Sequence, residues 1–152
     1  MSGGKRETIT KYLVLAILFL DQLTKYIISQ TIPHGESIPI INNIFHLTYI
    51  LNRGAAFGIF KNQNLFFIII AIVAIIFVLI SLKRKKTLQI QIALCFILSG
   101  AIGNLIDRIR LNAVIDFLDF RIWPVFNIAD TAITIGAVLL AFSVLKKPVI
   151  RN

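Results

Sequence analysis

The sequence predicts an all-α membrane protein with four transmembrane helices, a small β-sheet element and a short outer-face segment over the site. Three observations carry that expectation. Four apolar segments, about residues 11–29, 65–82, 88–109 and 127–145, approach the roughly 20 residues a helix needs to cross a bilayer. The 57% hydrophobic and 15% charged content, with a mean hydropathy of +0.85, lies outside the range of soluble domains. The basic residues collect at the ends of the apolar segments instead of along a polar face with interleaved aromatics, so the net charge of +9 does not read as nucleic-acid binding. At 152 residues the chain fits one domain.

The first span opens with a basic stretch and an apolar run, Tyr12 to Leu20, that superficially looks like a secretory signal. No small-residue cleavage pattern follows it; Asp21, Gln22 and Lys25 do, so the segment reads as a retained span. Asp21 and Lys25 are four apart, which puts them on one helix face as an ion pair turned toward the protein interior. The outer segment that follows shows partial alternation from Ile38 to Leu51, with Phe45, Leu47, Tyr49 and Leu51 on one face and His46, Thr48 and Asn52 on the other. Bounded by Pro33, Gly35, Pro39 and Gly54, it predicts a surface sheet over about residues 38–58, with an edge strand near Asn52.

From Asn52 the chain runs through Arg53-Gly54-Ala55-Ala56-Phe57-Gly58 toward the second span, and the small residues there allow close backbone approach. Asn52 itself offers a donor and an acceptor. The second span has no polar interruption. The third carries Ser99, Gly100, Ala101 and Gly103, a flat face suited to close helix packing, and the lone Cys95 reads as a small buried hydrophobe. Segment 110–126 is aromatic and acidic and ends at Trp123-Pro124, with Trp123 as an interfacial anchor.

Ten of the sixteen basic residues, Lys5, Arg6, Lys11, Lys83 to Lys86, Lys146, Lys147 and Arg151, fall on one side of this arrangement. The excess of positive charge assigns that side, with both termini, to the cytoplasm. Segments 30–64 and 110–126 then face outward.

Ionisable groups near hydrocarbon are expensive and therefore mark function. Asp107, Asp116 and Asp130 lie within 24 residues of one another in a chain with seven acids. Asn104-x-x-Asp107 closes the third span and Asn127-x-x-Asp130 opens the fourth, so both Asn/Asp pairs sit near the outer face, each on one helix face. Asp116 and Asp130 are candidates for a dyad in which a charged carboxylate activates water while its protonated partner holds a carbonyl oxygen. The same residues also fit helix capping, since Asp130 falls in the first turn of a span. Asp107, between Asn104 and Arg108, reads as a supporting group. His34 and His46 lack metal-ligand spacing, and no serine has a nucleophile-elbow context, so neither a zinc site nor a serine hydrolase is expected.

Five blocks resemble the lipoprotein signal peptidases (signal peptidase II) of bacteria. They are Asp21-Gln22-Leu23-Thr24-Lys25, Asn52-Arg53-Gly54-Ala55-Ala56-Phe57, Gly103-Asn104-Leu105-Ile106-Asp107-Arg108, Val114-Ile115-Asp116-Phe117 and Phe126-Asn127-Ile128-Ala129-Asp130, in that order. The resemblance implies an integral membrane aspartyl endopeptidase of the bacterial inner membrane, without cofactor or metal. It would cleave diacylglyceryl-modified prolipoproteins on the amino side of the lipidated cysteine and be blocked by globomycin. Its partners would be the lipidated prolipoprotein and membrane lipids, with no nucleic acid. It implies Asp116 and Asp130 as catalytic, and Asp21, Lys25, Asn52, Gly54, Asn104, Asp107, Arg108, Asn127 and Ala129 as substrate-binding or supporting residues. The alternative class is a proton- or ion-conducting membrane protein using intramembrane carboxylates.

Overall fold

The computed structural model describes residues 3–54, 63–84 and 86–145, without the side chains of residues 3–7. Four helices form: α1 (Gly3–Thr31), α2 (Asn64–Leu82), α3 (Leu88–Leu111) and α4 (Ile128–Leu145). Each is long and apolar enough to cross a membrane. Three strands join them at one end: β1 (Ser37–Ile41), β2 (Phe45–Asn52) and β3 (Val114–Asp119). Residues 55–58 of the expected β-element lie outside the described residues.

The central helix is α3, which packs against α1, α2 and α4. Its buried face is made of small residues, Ala93, Cys95, Ser99, Gly100, Ala101 and Gly103, and this is why the other helices approach closely. The two contacting glycines are reciprocal: a Cβ on Gly100 would collide with the Ala129 carbonyl of α4, and one on Gly136 of α4 would lie 2.6 Å from the Ala93 carbonyl of α3. The small-residue face read from the sequence is therefore a packing seam. By contrast, α2 is almost wholly apolar and exposes Leu65, Ile69, Val73, Ile76 and Phe77. Such a surface is stable only against lipid.

α3 ends where Asn112 adopts the left-handed conformation, φ 55°, and its N–H donates to the Arg108 carbonyl. Asn tolerates that conformation because its short side chain bonds locally. The reversal is tight enough for β3 to start two residues later.

The sheet is antiparallel in the order β1-β2-β3. Its apolar face, with Leu47, Tyr49, Leu51, Ile115 and Phe117, packs on Ile28 and Ile32 at the end of α1. The alternation read between Phe45 and Asn52 therefore holds, and Thr48 points the other way to Asp119. Pro39 costs β1 little, because an edge strand has one side without ladder bonds.

Two expectations are corrected. The second outer segment is a strand as well as a covering loop: β3 supplies the third strand, so both outer segments build one sheet. β3 reads Val-Ile-Asp-Phe-Leu-Asp, with its acids three apart instead of alternating, so it carries no period-two signal. β2 is the central strand, not an edge; only past Tyr49 does it run beyond its pairing with β1. α1 begins eight residues ahead of the expected span, the other helix ends lie within two residues of those expected, and Asn127 caps α4 instead of starting it.

Because Gly100 and Gly136 admit the neighbouring backbone, Gly100→Ala or Gly136→Ala should separate α3 from α4 and cost about 1–3 kcal/mol. Thermal unfolding in mild detergent tests this; unchanged melting temperatures for both variants would contradict the seam.

Candidate active site

Lys25 is a buried cation with no water to solvate it, and its three donors are all used. Its Nζ lies 2.9 Å from Asp21 Oδ2, 2.9 Å from Asp107 Oδ2 and 3.0 Å from Asn104 Oδ1. Lys25 and Asp107 are 2% exposed and Asp21 is 0%, so the pairing is obligatory in this position. The expected Asp21–Lys25 pair is present, and Asp107 joins it from α3.

Both acids also fix backbone, Asp21 through its spare oxygen and Asp107 through the oxygen that Lys25 already holds. Asp21 Oδ1 accepts from the Ala129 N–H in the first turn of α4, 2.8 Å away, where the helix end favours an anion. Asp107 Oδ2 accepts from the Ile115 N–H of β3 at 3.2 Å. Ala129 is completely buried against this carboxylate, and Gly103 is small for the same reason: a Cβ there would meet Asp21 Oδ2. Gln22 adds a further tie by donating to Asp21 Oδ2, Asp107 Oδ1 and the Gly103 carbonyl. It stands in a block quoted for the resemblance, but its spacing gave no sign of this role.

Above the ion cluster, amides take over from charges. Asn104 Oδ1 accepts from Lys25, and its Nδ2 donates to Asp130 Oδ1 at 2.7 Å. Asn127 accepts from the Asp130 N–H as the cap of α4, while its Nδ2 donates to Asp116 Oδ1 at 2.6 Å and to Asn104 Oδ1 at 3.2 Å. Asn52, at the end of β2, donates to Asp116 Oδ2 at 2.9 Å and accepts from the Gly54 N–H. Strand alternation explains the placement of Asp116: Ile115 and Phe117 pack toward α1, and Asp116 points the other way.

Asp116 and Asp130 both face one cavity of about 240 Å³, which Asn52, Gly54, Asn104 and Arg108 also line. Burial first, and then the neighbouring Asp130, push the Asp116 carboxyl up to about 7, against the donations of Asn52 and Asn127. Arg108 makes no ion pair with a carboxylate among the described residues; its guanidinium stands 5.1 Å from the Phe67 ring centroid of α2. Phe67, Asn104, Arg108 and Asp130 also line a second groove of about 280 Å³. Ala71, Ala74, Ala101 and Ile133 continue that groove between α2, α3 and α4. A polar cavity thus opens onto an apolar lane beside Asp130.

Other residues complete the surroundings of the site. Trp123, read as an anchor, lines the cavity together with Pro124. Asp119, not singled out from the sequence, locks the end of β3: it accepts from Thr48 and from the N–H and guanidinium of Arg121. Burial pushes Asp119 up, but these donors and the Arg121 charge outweigh it and hold the carboxyl below its ordinary value. His46 of β2 bonds Ser37, and His34, in the turn before β1, stands edge-on to Tyr49.

These features define a multi-pass membrane protein with an acidic site enclosed at one end of its spans. The sequence model described as signal peptidase (SPase) II matches residues 13–146, so the chain belongs to the signal peptidase II family. It is 50% identical over 128 residues to a lipoprotein signal peptidase of Halothermothrix orenii, covering 84% of this chain and 88% of that one. It is 45% identical over 141 residues to that of Caldanaerobacter subterraneus, covering 91% and 97%. A solved bacterial membrane enzyme matches with a TM-score of 0.86 and 33% identity over 93% of this chain and 94% of that chain.

Lys25→Met should leave two buried carboxylates unpaired and cost about 3–5 kcal/mol. Denaturant unfolding in detergent reads the loss; a cost below about 1 kcal/mol, within the range of an exposed ion pair, would contradict it.

Proposed function

We propose that this protein is an aspartyl endopeptidase that removes the signal peptide from diacylglyceryl-modified prolipoproteins on the amino side of the lipidated cysteine. The observation that carries the reading is the amide-bridged placement of Asp116 and Asp130 on one cavity. The adjoining apolar groove supports a substrate that arrives laterally from the bilayer. Conduction of protons finds no support in the placement of the acids: Asp21, Asp107, Asp116 and Asp130 gather at the sheet end instead of forming a relay across the spans. The expected topology, with both termini in the cytoplasm, would set the site near the extracytoplasmic face.

Hydrogen-bond direction assigns the roles. Both oxygens of Asp116 receive amide donors, which favours the charged form, whereas Asp130 receives one side-chain donor on Oδ1. Asp116 is therefore the base and Asp130 carries the shared proton. Asp116 removes a proton from a water between the carboxyls, and the water oxygen bonds to the scissile carbonyl carbon. Asp130 transfers its proton to the carbonyl oxygen, giving a neutral gem-diol. Collapse returns a diol proton to Asp130, and the proton on Asp116 passes to the departing nitrogen as the C–N bond breaks. A free cysteine amine and a peptide carboxyl are left. Arg108 and the Asn52 end of β2 would hold the extended peptide on either side.

Asp116→Asn and Asp130→Asn should each abolish cleavage of a purified diacylglyceryl-prolipoprotein while the protein remains folded. Wild-type protein should spare the unlipidated precursor and be inhibited by globomycin. Near wild-type processing by both variants would sink the dyad.

The pH dependence has a definite sign. Burial and the neighbouring Asp130 hold the Asp116 carboxyl up at about 7, so in the proposed pair rising pH removes the last shared proton, the one that the reaction needs. kcat/KM should fall as pH passes upward through about 7. A profile still flat at a pH two units higher would exclude a shared proton.

A further inference from the structure

A larger cavity, about 520 Å³, lies at the opposite end of the spans from the acidic site, between the start of α1, the end of α2 and the start of α3. Its walls are apolar, with Val14, Leu15, Leu79 and Leu98 among them, but its rim is not. Lys11 lines it and forms no ion pair among the described residues. Lys83, Arg84 and Lys86 follow Leu82, another lining residue, and of the seven acids in the chain only Glu7 belongs to this end.

One polar atom there has no partner among the described residues. Gln91, one turn into α3 from its Thr87 cap, lines the cavity, and its Oε1 is buried without a hydrogen-bond donor. Leaving a buried acceptor unsatisfied is costly, so the site favours a molecule that brings a donor. The three features have different demands: an apolar chain for the walls, a negative charge for Lys11, and a hydroxyl for Gln91.

We propose that this cavity binds an anionic phospholipid with a hydroxylated headgroup, of the phosphatidylglycerol type, from the leaflet on the basic side. The phosphate pairs with Lys11, a headgroup hydroxyl donates to Gln91 Oε1, and one acyl chain lies along Val14, Leu15 and Leu98. General attraction of a basic rim to an anionic surface would bind phosphate without using the cavity, so a test must separate the two. The inference does not depend on the reaction proposed for the opposite end.

The test is native mass spectrometry of the delipidated full-length protein, titrated with phosphatidylglycerol or phosphatidylcholine. Wild-type protein should retain one phosphatidylglycerol molecule in preference to phosphatidylcholine, by roughly fivefold for the lysine contact alone. Lys11→Gln should erase that preference, and Gln91→Leu should weaken phosphatidylglycerol without changing phosphatidylcholine. Leu15→Trp, which keeps every charge and fills the cavity from its lipid-facing side, should remove the retained lipid. Equal retention of the two lipids by wild type would overturn the proposal. So would undiminished phosphatidylglycerol retention in both Leu15→Trp and Gln91→Leu, since binding would then be to the rim alone.

Discussion

One ammonium group holds the functional end of the molecule together. Lys25 Nζ joins two carboxylates and an amide, and through them it reaches every element that the site needs. Asp21 ties α1 to the first turn of α4, Asp107 ties α3 to β3, and Asn104 passes the contact upward to Asp130. In water such pairs contribute little, but here neither partner has solvent to fall back on. The cluster therefore fixes geometry more than it adds net stability. The sheet, the reversal at Asn112 and the start of α4 have compatible positions only when all three donors of Lys25 are satisfied.

Hydrophobic burial does a different job in this fold. α2 and the outer faces of α1 and α4 show large apolar residues to the outside, so the bilayer supplies much of their environment. Specific packing is concentrated where backbones meet, at Gly100 and Gly136, and under the sheet at Ile28, Ile32, Ile115 and Phe117. The precise end of the molecule is the polar one, and the lipid-facing end tolerates cavities.

The four spans were legible because hydropathy is read directly from composition, and Asp21 with Lys25 because helical spacing puts them on one face. The two Asn-x-x-Asp pairs show the limit of spacing. In α3 it is the Asp107 carboxylate that is buried in the ion cluster and Asn104 that reaches the cavity side; in α4 it is Asp130 that faces the cavity and Asn127 that caps the helix and bridges. Identical local patterns take opposite roles because α3 arrives at this end while α4 leaves it. β3 and Gln22 were hidden for another reason: the apolar residues of β3 come in pairs and do not alternate, and the amide's partners come from a helix distant in sequence.

The separation of charges from amides also bears on how two carboxyls can share a site. A cation in direct contact with Asp116 and Asp130 would draw both into the ionised form, and a dyad with no proton has no acid. Lys25 is spent on Asp21 and Asp107, and Arg108 stands over Phe67 without a carboxylate partner. Among the described residues, the side chains that touch the pair are Asn52, Asn104 and Asn127, whose donors orient a carboxyl without supplying a full charge. Burial and then the neighbouring Asp130 raise Asp116, which is what a proposed dyad sharing one proton requires. The buried ion cluster is in this sense a condition for the neutral surroundings of the proposed dyad: it takes up Lys25 one layer below, and among the described residues amide dipoles are what contacts Asp116 and Asp130.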